Sequence, residues 1–405
     1  MSESRTQIAV IGGGAAGFFA AIRCAALNPK CEVTIFEKSS KVLAKVAVSG
    51  GGRCNVTHAC FDNRTLASNY PRGGKSLLGL FNRFGVSDTI DWYESRNVKL
   101  KTEDDGRMFP VSDRSQSIIE VLLREAAVNR VTIAMQAGIM EIKPTAAGFE
   151  LQVNGNTKFF QKVLVATGGS PQESGFDWLK MLGHNIVKPV PSLFSFNIRD
   201  RNLTSLMGLS HEASVSIDNG ISLAGPLLIT HWGMSGPAIL RLSSFEARKL
   251  AGMNYCFRLH VNWTNSNQEQ ARNELMLMRQ EFPSKQVQNH PCFDIPKRLW
   301  QYLVTKAEVN DENWSSLSKE KLRRLVGILA GDVYEVSGKT TFKEEFVTCG
   351  GVALDDADLR TMESKRVKNL FFAGEVLDID AVTGGFNFQA AWATGYVAGT
   401  SMAQS

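Results

Sequence analysis

The 405-residue chain lacks the patterns that usually signal metal or disulfide chemistry. Its seven cysteines are scattered, no pair has the CxxC spacing, and no Cys/His group has the spacing of a zinc site. We therefore expect no metal and no redox dithiol. Free thiols in a chain large enough to build its own cores predict a reducing, cytoplasmic compartment.

Long apolar runs and targeting signals are also missing. The first seven residues are polar and lead straight into an apolar strand, without the basic and apolar regions of a secretory signal. No uninterrupted apolar stretch has membrane-spanning length. These absences predict a soluble protein that has no membrane partner.

The excess of charge of one sign is small. The formal net charge is +5 and hydrophobic residues make up 43% of the chain, as in an ordinary globular protein. A nucleic-acid binder is expected to show a clustered basic stripe, so the composition disfavours nucleic acid as a partner and favours a small-molecule substrate. The length predicts two or three domains.

What the chain does contain is a glycine-rich turn near its N-terminus. An apolar run at 8–11 is followed by Gly12-x-Gly14-x-x-Gly17 and then by an Ala-rich helical segment at 18–26. Gly12 permits a tight turn, Gly14 lets the backbone approach a pyrophosphate, and Gly17 lets the helix pack closely on the strand. Taken alone, such a turn is weak evidence of a nucleotide.

The strand that follows strengthens the prediction. Residues 31–36 form a second apolar run that ends at Glu37, twenty residues past Gly17. A carboxylate at this point can accept hydrogen bonds from both ribose hydroxyls. Strand, turn, helix and carboxylate together predict a dinucleotide-binding unit, and the alternative of a simple turn with a surface glutamate explains fewer of these features.

Further glycine-rich segments favour the same kind of site. SGGGRCN at 49–55 offers backbone that can lie against a flat ring, with Arg53 and Asn55 beside it. ATGG at 166–169 follows an apolar strand, and AGE at 373–375 with GGFN at 384–387 precedes a small-residue helix whose N-terminus would present further N–H donors. Asp378 could reach ribityl hydroxyls, whereas we expect Asp380 to be a solvated turn carboxylate.

The texture of the chain predicts its organisation. Both ends share strands and glycine turns, which indicates a discontinuous nucleotide-binding domain over 1–189 and 346–405. Short runs separated by Gly, Pro and Asn predict a β-rich insert over 190–265 and 331–345, with a helical subdomain at 266–330. We expect this insert to cover the cofactor.

Local patterns predict several elements of the first domain. The polar, glycine-rich residues 45–57 indicate a loop, and 76–98 indicates a helix. Residues 113–130 carry apolar side chains at steps of three and four, which is typical of an amphipathic helix. Residues 131–142 and 149–165 alternate like strands.

Five sequence blocks resemble a known group. They are SGGGRCNVT at 49–57, DGRMFPVSD at 105–113, THWGMSGPA at 230–238, TCGGVAL at 348–354 and the long C-terminal block at 361–399. The chain resembles the FAD-dependent oxidoreductases typified by aminoacetone oxidase and a bacterial bile-acid dehydro-reductase. It departs from them at Leu43-Ala44, where members often carry Gly-Arg, and at 170–177, which indicates a separate subgroup.

The resemblance implies an α/β protein with a glutathione-reductase-type, Rossmann-like FAD-binding domain and a β-barrel-like insert that carries a helical subdomain. It implies FAD and a hydride-transfer oxidoreductase. The residues expected to bind the cofactor are Gly12, Gly14, Ala15, Ala16, Gly17, Glu37, Lys38, Lys45, Gly51, Gly52, Arg53, Cys54, Asn55, Ile139, Ala166, Thr167, Gly168, Gly374, Glu375, Asp378, Gly385, Phe386 and Asn387.

The redox partner and the catalytic acid are open at this point. No second GxGxxG follows the first, so NAD(P)H would have to bind transiently near the flavin, or oxygen would take its place. His231 is a candidate proton donor, although a hydrogen bond to its own turn is the simpler interpretation. A flavoprotein that binds or modifies RNA is the alternative function.

Overall fold

A computed structural model describes residues 5–340 and 347–404. They divide into two compact units, one formed by the described residues up to Pro191 together with those from Val347 onward, and one that begins at Ser192 and is described to Thr340. We describe each unit by itself. The three-part domain division proposed from the sequence stays a prediction, and its limits at 345 and 346 lie outside the described residues.

The strands are numbered in chain order over the described residues. They are β1 (Thr6–Ile11), β2 (Cys31–Phe36), β3 (Thr57–His58), β4 (Leu100–Thr102), β5 (Arg107–Pro110), β6 (Thr132–Ala134), β7 (Ile139–Thr145), β8 (Gly148–Val153), β9 (Asn156–Phe160), β10 (Lys162–Val165), β11 (Ile186–Ser192), β12 (Ser195–Ile198), β13 (Ser210–Ile217), β14 (Ser222–Thr230), β15 (Gly233–Ser235), β16 (Cys256–Asn262), β17 (Asp332–Thr340), β18 (Val347–Val352), β19 (Ala357–Asp358), β20 (Glu363–Ser364) and β21 (Leu370–Phe372).

The α-helices follow the same numbering. They are α1 (Ala15–Leu27), α2 (Ala44–Gly52), α3 (Asn63–Ser68), α4 (Gly74–Phe81), α5 (Val86–Glu94), α6 (Ser115–Val128), α7 (Asp177–Met181), α8 (Arg201–Thr204), α9 (Pro237–Phe245), α10 (Ala247–Gly252), α11 (Gln268–Glu281), α12 (Lys297–Lys306), α13 (Lys319–Gly331) and α14 (Phe386–Gln404). Among these residues, no helix is both long and apolar enough to cross a membrane.

The first unit is built on a mixed sheet. Its described strands lie in the order β19-β20-β21-β10-β1-β2-β6, with β21, β10, β1, β2 and β6 parallel. The central strands are buried on both faces, which explains their continuous apolar sequence. Two smaller three-stranded sheets, β3-β5-β4 and β7-β8-β9, belong to the same unit.

Helices α1 and α14 pack closely on each other because glycine lies at their contact. A Cβ atom at Gly395 would lie 2.7 Å from the carbonyl oxygen of Ala16, and one at Gly399 would lie 2.4 Å from that of Ala20. Real Cβ atoms do not approach backbone so closely. The small residues of the C-terminal helix therefore let it lie against the N-terminal helix.

The second unit contains a closed barrel. Its described strands follow the order β12-β15-β14-β13-β16-β17, and β17 pairs with β12 to close it. Helices α11, α12 and α13 share one hydrophobic core with the barrel, in which Trp263, Trp300 and Trp314 are fully buried. The predicted fold class, a Rossmann-like FAD-binding fold with a barrel and a helical part, is confirmed.

Two local predictions need correction. The predicted loop at 45–57 begins as helix α2, which breaks at Ser49 and Gly50, where the backbone leaves the helical conformation. The predicted helix at 76–98 is two helices, α4 and α5. The break comes at Gly85, whose N–H donates to the carboxylate of Asp88 at 2.8 Å and so starts a new helix.

Candidate functional site

The parallel strands place the glycine-rich motifs at one edge of the sheet. Ile11 lies opposite Phe36 of β2 and opposite Val165 of β10, and Val165 lies opposite Phe372 of β21. Because the carboxyl ends of parallel strands meet at the same edge, the four segments that follow these strands emerge side by side. This edge is the place where open α/β sheets bind ligands.

The turn after β1 has the geometry that its glycines require. Gly12 has φ +113°, and a Cβ atom on it would lie 2.3 Å from the carbonyl oxygen of Ala166. A Cβ atom on Gly17 would lie 2.1 Å from the carbonyl oxygen of Gly12, whereas one on Gly14 would meet nothing within 4 Å. Gly12 and Gly17 therefore allow close packing of the backbone, and Gly14 leaves an open face at the start of the helix.

No side chain caps the N-terminus of α1. Gly14 is the N-cap, no side chain caps the helix, and its first turn has no acidic residue. The first N–H groups of a helix lack intrahelical partners and carry the positive end of its dipole. This end of α1 therefore fits an anionic phosphate group.

Glu37 is held in place by backbone. One carboxylate oxygen accepts from the N–H of Gly13 at 2.9 Å, and the other accepts from the N–H of Ser39 at 2.8 Å. A carboxylate has about four acceptor positions. The remaining positions of Glu37 are suited to two hydroxyl donors.

A cavity of about 330 Å³ adjoins Glu37. This volume lies at the low end of the range of small-molecule sites. Six of the residues expected to bind the cofactor line it: Gly12, Glu37, Lys38, Ile139, Thr167 and Gly168. Sequence reasoning missed other lining residues, among them Gly138, Pro171 and Trp178. Trp178 lies just beyond the segment 170–177, in which the chain departs from the family that it resembles.

Lys45, Glu375 and Thr348 form a second group at this edge. The Lys45 ammonium lies 2.7 Å from Glu375 Oε2, and Glu375 Oε1 accepts from the N–H of Thr348 at 2.8 Å. The Thr348 hydroxyl is buried and makes no hydrogen bond with any residue that the structure describes. Thr348 was not predicted as a site residue, although the TCGG block at 348–351 could have pointed to it.

The three glycines at the end of α2 make a left-handed turn. Gly50, Gly51 and Gly52 have φ of 57°, 69° and 83°, and Cβ atoms on Gly51 and Gly52 would meet nothing within 4 Å. Three successive left-handed residues need glycine. The turn leaves an open backbone surface, which agrees with the proposed contact to a flat ring or phosphate.

Arg53 and Cys54 have partners within the protein. The Arg53 guanidinium pairs with Glu103 and lies 3.9 Å from the centre of the Phe109 ring. The Cys54 side chain is fully buried, and burial raises the pKa of its thiol to about 12. A protonated, enclosed thiol is not a nucleophile at neutral pH.

Asn55 connects the two glycine-rich turns. With its amide oriented to suit its neighbours, it donates to the carbonyls of Thr57 at 2.9 Å and Met108 at 3.2 Å and accepts from the N–H of Gly385 at 3.0 Å. Gly385 has φ +92°, and a Cβ atom there would lie 2.5 Å from the carbonyl oxygen of Thr57. The 49–55 segment and the start of α14 are therefore in direct contact.

Phe386 and Asn387 anchor the start of α14. Phe386 is buried with its ring 4.5 Å from that of His58, and its carbonyl accepts a hydrogen bond from the Tyr70 hydroxyl. The Asn387 amide accepts from the N–H of Ala381 at 3.0 Å and donates to its carbonyl at 3.2 Å. These contacts fix the turn before the helix, and contact with a cofactor stays a prediction for both residues.

The expectation for Asp380 is wrong. Its side chain is fully buried and forms a two-bond ion pair with Arg72, so it is not a solvated turn carboxylate. The backbones of Arg72 and Asp380 also pair with each other in an isolated antiparallel β-bridge. Sequence pattern does not show it because the partners are 308 positions apart. Asp378, two residues earlier, is partly exposed.

His231 belongs to the second unit. It lies in the turn between β14 and β15, is exposed, and packs its ring edge-on at 4.1 Å from that of Trp232. Over the described ranges, its imidazole makes no hydrogen bond, so the simpler interpretation, a bond to its own turn, is not seen. Its role in proton transfer stays a prediction.

The residues at the sheet edge fit FAD. The uncapped helix N-terminus suits the pyrophosphate, Glu37 suits a ribose, and the open faces at Gly14, Gly51 and Gly52 leave room for a ligand against backbone. The unpartnered Thr348 hydroxyl lies in the same cluster. Within the described ranges, no group of His, Cys, Asp and Glu side chains could hold a metal.

Comparison with known proteins agrees with this geometry. Residues 6–401 match the model of the HI0933-like protein Rossmann domain. The chain belongs to this family. The family that was recognised from the sequence blocks is thereby confirmed, and the match extends over both units of the fold.

Named proteins similar to this member of the HI0933-like family come from several bacteria. A ribosomal RNA dihydrouridine synthase of Escherichia coli is 28% identical, over 97% of this chain and 96% of the relative. A 3-dehydro-bile acid delta(4,6)-reductase of Clostridium scindens is 26% identical, over 98% of this chain and 99% of the relative. The first of these names partly opposes the expectation that nucleic acid is not a partner.

Among solved structures, a 3-ketosteroid-delta4-(5alpha)-dehydrogenase of Rhodococcus jostii has a similar fold. Its TM-score is 0.54 at 12% identity, over 100% of this chain and 98% of that one. At this identity the likeness concerns the fold alone. The family match and the full-length relative identify this HI0933-like protein as an FAD-dependent enzyme of the oxidoreductase class.

Proposed function

We propose that this protein reduces a carbon–carbon double bond conjugated with a carbonyl group, and that its substrate is uridine in RNA. The observation that supports the substrate is the E. coli relative, which is named a ribosomal RNA dihydrouridine synthase and aligns over 97% of this chain. Dihydrouridine is uridine whose ring double bond, next to a carbonyl, has been saturated. The reaction adds a hydride and a proton across that bond.

The chemistry of a second relative supports the reaction type. A 3-dehydro-bile acid delta(4,6)-reductase also saturates double bonds conjugated with a carbonyl. When bound and first reduced by a hydride donor such as NAD(P)H, the flavin would supply the hydride for such a reduction. Two proteins that resemble this chain over nearly its full length thus act on the same kind of bond.

The residues of the first unit have binding and orienting roles in this proposal. Glu37 accepts hydrogen bonds from the adenosine ribose, and the N-terminus of α1 receives the pyrophosphate. Lys45 and Glu375, which pair at 2.7 Å, position the segment at the end of β21 beside the flavin. Cys54 takes no chemical part, because burial keeps its thiol protonated.

NAD(P)H is the proposed reductant. It would bind transiently, since the sequence has one GxGxxG turn and the described strands form one Rossmann-type sheet. Anaerobic mixing of the purified protein with NADH and with NADPH, followed by the flavin absorbance, distinguishes the two. Bleaching by neither would mean that another electron donor reduces the enzyme.

The function is tested with ribosomal RNA that lacks dihydrouridine. The FAD-loaded protein is incubated anaerobically with this RNA and a nicotinamide deuterated at the transferred position, and the nucleosides are analysed by mass spectrometry. We expect uridine to gain two hydrogen atoms, one of which carries the label. Flavin that is reduced by the nicotinamide but not reoxidised by RNA would contradict the proposal.

A small-molecule enone is the second candidate substrate, favoured by the C. scindens relative. The same reduced enzyme is mixed with 3-keto-Δ4 and Δ4,6 steroids, and reoxidation of the flavin is followed. Turnover of the steroids without turnover of RNA would favour this candidate. The two assays therefore separate the substrates while sharing one cofactor.

A further inference from the structure

One end of the barrel brings together a loop and a turn from different strands. The N–H of Ile198, the last residue of β12, donates to the carbonyl of Trp232 at 2.9 Å, and the chain continues into Arg199. The N–H of Gly208 donates to the carbonyl of Ile229 at 2.9 Å. The segment 198–208 therefore lies beside the His231–Trp232 turn.

Helix α12 is fixed to the same segment by two hydrogen bonds. The Tyr302 hydroxyl donates to Asp200 Oδ2 at 2.9 Å, and the Arg298 guanidinium donates to the carbonyl of Ser205 at 2.9 Å. Arg298 and Tyr302 lie one turn apart on α12, so they face α8 together. The start of α12 thus joins the barrel end as a third element.

Four cations lie on two of these three elements, Arg199 and Arg201 on the 198–208 segment and Lys297 and Arg298 on α12. We call them the cationic surface. All four are exposed, and over residues 5–340 and 347–404 none forms an ion pair. Elsewhere in the same unit, cations do have carboxylate partners, for example Lys306 with Asp332.

The acidic residues near this surface neutralise it only in part. Asp200 keeps its negative charge but is held by the N–H groups of Asn202 and Leu203 and by the Tyr302 hydroxyl, and it forms no ion pair with these cations. Asp294, three residues before Lys297, is exposed and makes no ion pair with any described cation. The surface therefore keeps a local positive excess in a chain whose net charge is only +5.

The turn that pairs with the 198–208 segment carries two aromatic rings. His231 is exposed, Trp232 is half-buried, and the two rings are 4.1 Å apart. Unpaired RNA bases stack on such rings, while arginine and lysine contact the phosphates between them. Exposed cations without ion pairs can bind phosphate without first breaking an ion pair.

We propose that the cationic surface binds the phosphate backbone of single-stranded RNA, with the His231–Trp232 turn beside the bases. This inference rests on the proposed function, since it assigns the RNA substrate a place on the second unit. A general solvated face is the alternative. It predicts no salt-dependent loss when these particular cations are removed.

The test measures binding of a fluorescent oligouridylate to the full-length, FAD-loaded protein over a range of NaCl concentrations. The variant carries Arg199→Gln, Arg201→Gln, Lys297→Gln and Arg298→Gln. Each phosphate contact to a single strand contributes about 0.7 to the slope of log K against log salt, so losing four should reduce that slope by about 3. A triple variant that keeps Arg298 retains the bond to Ser205 and guards against a folding defect.

The matched control removes the same charge elsewhere in the unit. Arg272, Lys285, Lys319 and Arg323 are exposed and form no ion pair among the described residues, and each is changed to Gln. Carboxylates such as Glu274 and Glu320 lie between them along the chain. We expect this variant to keep nearly the wild-type slope.

The outcomes separate the inference from the function on which it rests. If wild type binds and reduces RNA and both quadruple variants have its salt slope, the cationic surface is refuted while the proposed function stands. Equal losses in both variants would also refute it, because only total charge would then matter. If wild type neither binds nor reduces RNA, the proposed function fails and takes the inference with it.

Discussion

The carboxyl edge of the parallel sheet and the cationic end of the barrel differ in how they form a binding surface. At the sheet edge, glycine backbone provides the surface. A Cβ atom on Gly12 would lie 2.3 Å from a carbonyl oxygen, and one on Gly17 would lie 2.1 Å from another, so neither glycine can be replaced without moving the backbone. At the barrel end, the exposed side chains of the cationic surface provide it. The first surface is determined by main-chain conformation, and the second by charge.

This difference teaches where each surface tolerates change. A glycine in a left-handed or crowded position cannot be replaced without moving backbone, so the pattern is readable in sequence. Exposed cations can be exchanged at little cost in stability, and nothing in their spacing reveals that the 198–208 segment and α12 bring them together. The following predictions test this contrast.

The largest effect is expected for Gly12→Ala. The new side chain would hold φ +113° and meet the carbonyl oxygen of Ala166. Left-handed strain costs about 1–3 kcal/mol and overpacking a similar amount, so the free energy of unfolding should fall by about 2–6 kcal/mol. Denaturant unfolding and FAD content measure this loss.

Gly327→Ala is its control in the second unit. Gly327 lies within α13, and a Cβ atom there would meet nothing within 4 Å. Alanine favours a helix over glycine by about 1 kcal/mol, so this variant should be slightly more stable than wild type. Equal losses in both variants would show that the sheet edge is no more demanding than an exposed helix.

His231→Ala tests whether the second unit contributes a chemical group as well as charge. If its imidazole delivers the proton, turnover should fall roughly 10²–10⁴-fold while FAD stays bound. His290→Ala, in the helical part of the same unit, is the matched variant and should keep its activity. Full turnover of His231→Ala would remove this residue from the mechanism and leave hydride transfer untouched.

Glu37→Ala tests the sheet edge through a side chain. Removing two charge-assisted hydrogen bonds to a ribose, each worth roughly 1.5–3 kcal/mol, should weaken FAD affinity by about a hundredfold or more. Titration of the apoprotein gives the dissociation constant. Glu32→Ala is the control, because Glu32 is on the same strand β2 but pairs with Arg5. An unchanged FAD affinity for Glu37→Ala would mean that Glu37 has only a structural role.

The smallest effect concerns pH and His184. Its imidazole is buried, which lowers its pKa, and it bonds to the Leu179 carbonyl at 3.1 Å and the Ser364 hydroxyl at 2.8 Å. The unfolded chain therefore binds more protons than the folded one just below the ordinary pKa of histidine, and stability falls as pH drops through that range.

The His184→Gln variant isolates this contribution. Denaturant unfolding is compared between about pH 7 and about pH 5, the range in which an unperturbed histidine titrates. The stability advantage of wild type over the variant should shrink as the pH falls. A constant difference would mean that His184 does not titrate on unfolding in that range.

Much of the fold could be predicted because its signals are local. The turn at Gly12–Gly17, the helix that begins near Ser115 and the apolar strand at Leu370–Phe372 each depend on neighbours in sequence. The left-handed glycines Gly51 and Gly52 could be recognised for the same reason. Local residue chemistry was sufficient for these elements.

Long-range pairings could not be predicted. Burial of Asp380 depends on Arg72, and the link between the two glycine turns depends on Asn55 and Gly385. Thr348 lies on β18, which pairs with β11 outside the parallel sheet, and Trp178 lies on α7, so both join the site through tertiary packing. Where a side chain acts through a distant partner, composition and spacing carry no signal for it.

The contact between α1 and α14 has a consequence for synthesis on the ribosome. Strand β1 and the glycine turn are synthesised before the barrel, whereas β21 and α14 are synthesised after it. Domains tend to fold as their residues become available, so the barrel can fold while the sheet edge still lacks its final strand and helix. Cofactor capture should therefore wait until α14 has been synthesised, and ribosome-bound chains stopped before residue 370 should contain little bound flavin.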